Sequence, residues 1–201
     1  MKKLLICLAA TAAVCSAQAQ SGNFTGFSAG GNMAMNAATA SETVGTTTLD
    51  GIGQHSIGVG GFAAYGLSIG SASILTLGFD YSFSDIKAGE LKSATTSDSY
   101  KLQNLSSLSI APGTLLTDKT LAYFKLGFEN GKLAFTTSST TNTTNIAGTS
   151  WGLGTKTMFS KNTFLQIEVK QTNFRATRYE NSSVDISARS TTGSVGVGFM
   201  F

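Results

Sequence analysis

The side chains that could support acid–base or metal chemistry are few and scattered. His55 is the only histidine, and Ser56 is the nearest hydroxyl in the sequence. A base must lie within hydrogen-bonding distance of the nucleophile that it activates, but neighbouring side chains on a strand point to opposite faces. Asp85 and Asp98 have no evident partner, and one histidine with dispersed carboxylates is not a usual set of metal ligands. We therefore expect no catalytic site, no metal site and no cofactor.

A second set of charged residues has a different chemistry, that of mutual neutralisation. Its members lie on polar, glycine-rich faces of alternating segments: Asp80, Lys125, Glu129, Lys156, Glu168 and Lys170. Three carboxylates match three lysines, and paired charges compensate one another in a narrow interior. The rise of about 3.3 Å per residue and a tilt of about 40° place Lys125 and Glu168 at similar heights. We predict that these six residues form a network of ion pairs inside the fold.

Eight segments with apolar and polar residues in alternation must position this network. Strict alternation predicts β-strands whose two faces meet different surroundings. The predicted strands cover residues 24–36, 54–67, 73–84, 100–116, 121–131, 148–159, 163–174 and 190–201. Long polar loops are predicted at 37–53, 85–99, 132–147 and 175–188, and short turns between the other strands. This alternation of long and short connections predicts an all-β fold, an eight-stranded antiparallel up-and-down transmembrane β-barrel.

The direction of the apolar faces distinguishes a membrane barrel from a soluble one. A soluble barrel would turn its apolar side chains inward around a ligand. Here the polar faces carry many glycines and few charges, which suits a narrow lumen, and we expect Phe62 to fill part of it. Aromatic residues near the strand ends predict two interfacial belts. The belt near the long loops contains Tyr81, Phe83, Tyr100, Phe128 and Trp151, and the belt near the turns contains Tyr65, Phe159, Phe199 and Phe201.

The first 19 residues are typical of a secretory signal peptide. Two lysines precede an apolar core, and Ala17 and Ala19 form a small-x-small cleavage site. We expect a barrel domain over residues 20–201; acylation of Cys15 is the alternative, although Val14 before it is not the small residue that lipoproteins need. Removal of Lys2 and Lys3 lowers the formal charge from +3 to +1, so we expect no nucleic-acid partner.

The last strand alternates an apolar face with a small one. Val195, Val197, Phe199 and Phe201 form the apolar face. This ending resembles the C-terminal signal of bacterial outer-membrane barrels, and the resemblance implies that the barrel-assembly machinery reads it. The stretches from Leu108 to Phe128 and from Trp151 to Glu168 resemble hairpins of the superfamily that contains the OmpA transmembrane domain, opacity proteins and Ail-like adhesins. The resemblance covers the predicted barrel and implies a bacterial outer-membrane location.

The resemblance specifies architecture better than activity, since one fold hosts many functions. We expect a monomeric scaffold in contact with outer-membrane lipid and lipopolysaccharide. Its loops would serve envelope integrity, or adhesion through an extracellular ligand, because rigid scaffolds carry recognition on loops. A small channel for ions or solutes is the alternative, and a lipid-modifying enzyme is a third.

Overall fold

A computed structural model describes residues 23–44, 47–92, 97–137, 140–178 and 184–201. All regular structure in this part of the chain is β-strand. The strands are β1 (Gly26–Val44), β2 (Thr47–Ser68), β3 (Ser73–Ser82), β4 (Ile86–Lys92), β5 (Ser97–Thr117), β6 (Thr120–Thr137), β7 (Thr140–Met158), β8 (Thr163–Arg178) and β9 (Val184–Met200). In these ranges no helix is long and apolar enough to cross a membrane. The predicted signal peptide, with Ala17 and Ala19, lies outside the described residues.

The strands close into one antiparallel barrel of eight staves. The sheet order is β3-β2-β1-β9-β8-β7-β6-β5-β4, and an additional β3–β5 ladder completes the circle. β3 and β4 both pair with β5, one after the other along its length, so they form a single interrupted stave. The first and last strands pair from Ser28 with Met200 to Val44 with Val184. The predicted fold class is therefore confirmed.

The apolar faces point outward, as the alternation predicts. Large apolar side chains are exposed on every full-length strand, and examples are Met33 on β1, Leu153 on β7, Val169 on β8 and Val195 on β9. The side chains between them are buried, and they include the charged residues Lys125, Glu129 and Glu168. An exposed apolar band is the surface that a bilayer's hydrocarbon requires, and closure of the barrel leaves no unpaired backbone edge within that band.

The prediction of long polar loops is wrong for most of the length of all four segments, 37–53, 85–99, 132–147 and 175–188. β1, β2, β4, β6 and β7 continue through the described parts of these segments, as does β8 to Arg178. The segments are rich in threonine, which favours extended structure, and small or apolar residues alternate along them. Ala38, Ala40, Leu133 and Ile146 are buried examples. Polarity alone therefore led to the prediction of loops where hairpins continue.

Near the loop end the wall separates into two groups of strands. The β7–β8 ladder reaches only Gly148 paired with Phe174, and the β2–β3 ladder ends at Gly60 paired with Ser82. Beyond these points, no ladder between described residues joins β7 to β8 or β2 to β4. One group is then β4-β5-β6-β7 and the other is β8-β9-β1-β2. Buried residues from both groups form one apolar cluster, here called the upper cluster: Ala38, Ala40, Ile86, Ala88, Tyr100, Leu102, Leu105, Leu133, Ile146, Phe174 and Ala188.

A bulge in β5 turns the upper half of that strand around. The β5–β6 register shifts between Gln103 and Ser106, and Asn104 has a φ of 51°. A bulge adds one residue and so exchanges the inward and outward faces. Tyr100 is consequently buried in the upper cluster, 3% exposed, whereas Leu108 faces outward. The prediction that Tyr100 belongs to the outer aromatic belt is wrong for this reason.

Candidate functional site

The middle of the lumen holds an ion-pair triad. Lys125 Nζ lies 2.9 Å from Asp80 Oδ2 and 3.2 Å from Glu168 Oε2. Its neighbours Phe124 and Leu126 face outward, so alternation along β6 aims the lysine at the barrel axis. The side chains of Lys125 and Glu168 are only 7% and 6% exposed. Among the described residues, Lys125 is the lysine that lies within ion-pair distance of both carboxylates.

Two further polar contacts complete the central layer. The Tyr123 hydroxyl donates a hydrogen bond to Glu168 Oε2 at 2.8 Å. Lys170 Nζ lies 2.9 Å from Glu129 Oε1 and forms a second, separate ion pair. These contacts link β6 with β8, and the Lys125–Asp80 pair adds β3. Charge-assisted bonds of this kind fix the positions of their partners.

Lys156 is the member of the predicted set that the structure does not place in an ion pair. No carboxylate of the described residues lies within 4 Å of its ammonium group, although its side chain is buried. Its Nζ lies 5.1 Å from the centre of the Phe164 ring and 5.9 Å from that of Tyr123. Aromatic faces attract cations at such distances. Lys156 thus connects the charged layer to the aromatic residues below it.

The turn end of the lumen is closed by apolar side chains, here called the lower plug: Phe24, Phe62, Ile74, Leu121, Met158, Phe164 and Met200. The rings of Phe62 and Phe164 are the largest part of it, with centroids 6.0 Å apart. Glycine makes their packing possible, because a Cβ on Gly198 would overlap the Phe164 ring. Asn23, just before β1, donates a hydrogen bond to the carbonyl of Asp118 at 2.7 Å and crosses beneath the plug.

A polar cavity of about 80 Å³ lies between the charged layer and the upper cluster. Glu129, Glu168 and Lys170 line it together with Ser107 and Ser190. The two serine hydroxyls are buried and have no hydrogen-bond partner among the described residues. A polar space of this size fits several water molecules, which would satisfy both hydroxyls. In the described chain, no group of three or more histidine, cysteine or acidic side chains could hold a metal ion.

The remaining predicted residues lie on the outer wall. Val195, Val197, Phe199 and Phe201 are all about half exposed or more, and β9 pairs with both β1 and β8. Phe201 packs on Phe27 and Phe199 at 5.5 and 5.3 Å between ring centroids. His55 is exposed, and no described hydroxyl or carboxylate forms a hydrogen bond with it.

The lower plug is the part of the lumen that the sequence analysis largely missed. It predicted Phe62 as a filler, and Phe62 is 7% exposed. Phe164 is fully buried and lies on the same face of β8 as Gln166 and Glu168. The period-two pattern that places Glu168 in the lumen also places Phe164 there, so continuing the pattern to the strand end would have identified the plug.

Comparisons with known proteins identify one family and several solved structures to which this chain is similar. The family model described as outer membrane protein beta-barrel domain matches residues 6–201. The structure of Ail, the attachment invasion locus protein of Yersinia pestis, is 14% identical with a TM-score of 0.48, covering 88% of this chain and 99% of that one. Neisserial surface protein A is 13% identical with a TM-score of 0.48, covering 85% and 97%. OprG from Pseudomonas aeruginosa is 12% identical with a TM-score of 0.45, covering 90% and 98%. A comparison with curated protein sequences finds no significant match.

Proposed function

Since this chain belongs to the outer membrane protein beta-barrel family and lies in the bacterial outer membrane, we propose that its barrel anchors a rigid, surface-exposed recognition platform. The platform is the paired-strand extension on the loop side of the apolar band. It would bind an external surface or macromolecule and so serve adhesion or the integrity of the envelope. In this proposal the protein is not an enzyme.

The length of the strands is the observation that carries the proposal. β7 has 19 residues, which corresponds to about 48 Å of height at a rise of 3.3 Å and a tilt of 40°. The apolar band of an outer-membrane barrel is about 25 Å tall. The outward side chains of β7 change accordingly from Trp151 and Leu153 to exposed Thr141, Thr143 and Asn145. Roughly 20 Å of paired strand therefore projects beyond the band.

The upper cluster supports a recognition role because it gives this extension its own core. Leu102 and Ala88 are fully buried, and Leu133 is 2% exposed. Two groups of strands packed on a shared core keep their shape outside the membrane, and a rigid support preserves the geometry of a binding surface. A purely structural anchor would need only strands that match the membrane thickness.

The closed lumen argues against the channel alternative. The lower plug blocks the turn end, and the ion pairs of Lys125 and Lys170 cross the middle. The cavity of about 80 Å³ between the charged layer and the upper cluster is the space that a channel would use. A permeating ion would have to displace both aromatic rings and ion pairs.

Shortening the β6–β7 hairpin tests the recognition role. Ala134 pairs with Thr143 and Leu133 with Thr144. Replacing residues 134–143 by Asn-Gly therefore joins the hairpin at the Leu133–Thr144 pair, with a turn that suits it. We expect cells that display this variant to lose attachment to abiotic and host-cell surfaces relative to cells with the full chain. Duplication of Lys161 and Asn162 in a turn at the opposite end is the matched control.

Two outcomes would contradict the proposal. One is equal attachment by cells with the full chain, the shortened hairpin and no barrel at all. The other is steady ion conductance of the intact protein in planar bilayers, which would favour the channel. Heat-dependent mobility in detergent gels shows in each case that the barrel is folded.

A further inference from the structure

One strand register places a hydroxyl between two carboxylates inside the lumen. Asp80 on β3 is paired directly with Ser107 on β5, and Ser107 is paired directly with Glu129 on β6. All three side chains point inward, since they line the same polar cavity of about 80 Å³. Directly paired residues have Cβ atoms about 4.5–5.5 Å apart. The row of Asp80, Ser107 and Glu129 therefore brings oxygen atoms from three strands to one small space.

The hydroxyl at the centre of this row has no partner. Ser107 is 2% exposed, and its Oγ forms no hydrogen bond with any described residue. Ser190 on β9 lines the same cavity, is 3% exposed and also has no partner in the described chain. Buried polar groups are nearly always hydrogen-bonded to protein, water or a bound group. Two unsatisfied hydroxyls in the walls of one cavity therefore indicate an occupant that oxygen atoms can bind.

The charges around the cavity do not balance. Among the described residues, its walls carry the carboxylates of Asp80, Glu129 and Glu168 and the single ammonium group of Lys170. Lys125 adds a second positive charge, through its contacts of 2.9 Å with Asp80 and 3.2 Å with Glu168. Three negative charges thus face two positive ones. Because uncompensated charge is unfavourable inside a protein, the cavity favours one additional positive charge.

Lys156 does not supply that charge at the level of the cavity. It is not one of the residues that line the cavity, and its Nζ lies 5.1 Å from the centre of the Phe164 ring in the lower plug. Strand register gives the same result, because Lys156 is paired with Leu121 of the plug, whereas Lys125 is paired with Gly152 nearer the loop end. The excess negative charge and this lysine therefore lie at different heights.

The available oxygen atoms favour a monovalent alkali cation over a divalent one. Hard cations take hydroxyl, carboxylate and water oxygens as ligands, and Ca²⁺ requires six to eight of them. In the described residues, no group of three or more acidic, histidine or cysteine side chains could hold a metal ion of that kind. Lys125 already contacts Asp80 Oδ2, and Lys170 contacts Glu129 Oε1, which leaves each carboxylate one further oxygen. A single excess charge matches the charge of Na⁺ or K⁺.

We propose that the cavity binds one sodium or potassium ion, coordinated by Ser107, by oxygens of Asp80 and Glu129 and by water. The ion joins β3, β5 and β6 inside the barrel and supplies the missing positive charge. Water molecules in the remaining space connect it to Ser190, since the cavity is large enough for several of them. The sequence analysis expects no metal site because it considers histidine and the loop carboxylates, whereas strand register is what places Ser107 between two acids.

The urea midpoint of the refolded mature barrel measures this binding, followed by the fluorescence of Trp151, the only tryptophan. Choline chloride is replaced stepwise by sodium or potassium chloride at constant ionic strength, so that charge screening does not change. Choline is the reference cation because its methyl groups prevent coordination by oxygen. A ligand of the folded state at about ten times its Kd raises the folding constant about 11-fold. We expect a saturating rise of about 0.7 M in the midpoint.

Three variants locate the ion, each compared with itself in choline so that a general loss of stability does not affect the result. Ser107→Ala removes a ligand but no charge, and an about tenfold weaker site should reduce the rise to about 0.2 M. Glu129→Gln removes the excess charge and should abolish the rise. Ser28→Ala is the matched control, because Ser28 is a buried lumen serine that donates to the Ala64 carbonyl, does not line the cavity and should keep the full rise.

Three outcomes would overturn the proposal. Equal midpoints of the unmodified barrel in sodium, potassium and choline chloride would mean that water alone fills the cavity. An undiminished rise in Glu129→Gln would place the cation elsewhere on the protein. A rise with Ca²⁺ at a far lower concentration than with Na⁺ or K⁺ would assign the site to a divalent ion. The heat-dependent gel shift verifies folding of every variant, and the attachment of cells has no bearing on any of these results.

Discussion

Replacement of Lys125 should reveal how strongly the lumen depends on one cation. In Lys125→Met, Asp80 and Glu168 lose the ammonium group that lies 2.9 and 3.2 Å from them, while the Glu168 carboxylate remains buried and that of Asp80 remains half-buried. Removal of one partner from a buried pair costs about 3–5 kcal/mol. With a urea m-value of about 2 kcal/mol/M, the unfolding midpoint should fall by about 2 M. Urea is the suitable denaturant because it adds no ions that would screen the charges.

The matched control is Lys156→Met, a lysine of the same lumen without a carboxylate within 4 Å among the described residues. Its ring contacts with Phe164 and Tyr123 are worth about 1–2 kcal/mol, and an apolar side chain recovers part of this. We therefore expect a midpoint shift below about 0.5 M. Tryptophan fluorescence of refolded protein in vesicles follows both transitions.

The triple variant Asp80→Asn, Lys125→Met and Glu168→Gln tests whether unpaired charge causes the loss of stability in Lys125→Met. It removes all three charges at once, and a buried ionic cluster replaced as a whole often leaves stability nearly unchanged. We expect it to recover most of the stability that Lys125→Met loses. Equal losses in Lys125→Met and Lys156→Met, or no recovery in the triple variant, would refute the view that unpaired buried charge is the source of the effect.

Other perturbations address packing, closure and assembly. Phe62→Ala with Phe164→Ala opens the lower plug and should produce measurable single-channel conductance in planar bilayers, in contrast to the closed parent. Gly198→Ala places a methyl group in the Phe164 ring and should lower the free energy of unfolding by about 1–3 kcal/mol, whereas Gly193→Ala, in open space, should be neutral in the same urea titration. Deletion of Phe201 removes its ring contacts and its backbone bond to β1, and should reduce the folded fraction recovered from outer membranes on detergent gels.

The sequence predicts the barrel and much of its lumen because both follow from a single period. Alternation identifies which residues face inward, and the strand rise and tilt place Lys125 and Glu168 at similar heights. The alternation along a strand does not specify which rotamer each side chain adopts inside the lumen. It therefore could not distinguish Lys125, which reaches two carboxylates, from Lys156, which reaches aromatic rings.

The sequence analysis did not predict the paired-strand extension, for two physical reasons. Threonine-rich segments resemble solvated loops in composition, but their backbone groups pair within hairpins such as Thr136 with Thr141. The bulge at Asn104 then exchanges the faces of β5, so a single period cannot be read through it. Tyr100 appears on the wrong face for that reason alone.

The pairing of β1 with β9 has a consequence for the time course of folding. Ser28 pairs with Met200, and Val44 pairs with Val184, although each pair is separated by most of the length of the chain. Joining ends so far apart carries a closure entropy of roughly 4–5 kcal/mol before any contact is gained, and folds dominated by distant pairings form slowly. Until β1 and β9 pair, their unpaired edges can bind strands of other chains. The nascent polypeptide therefore needs shielding until its final residues have been made and docked.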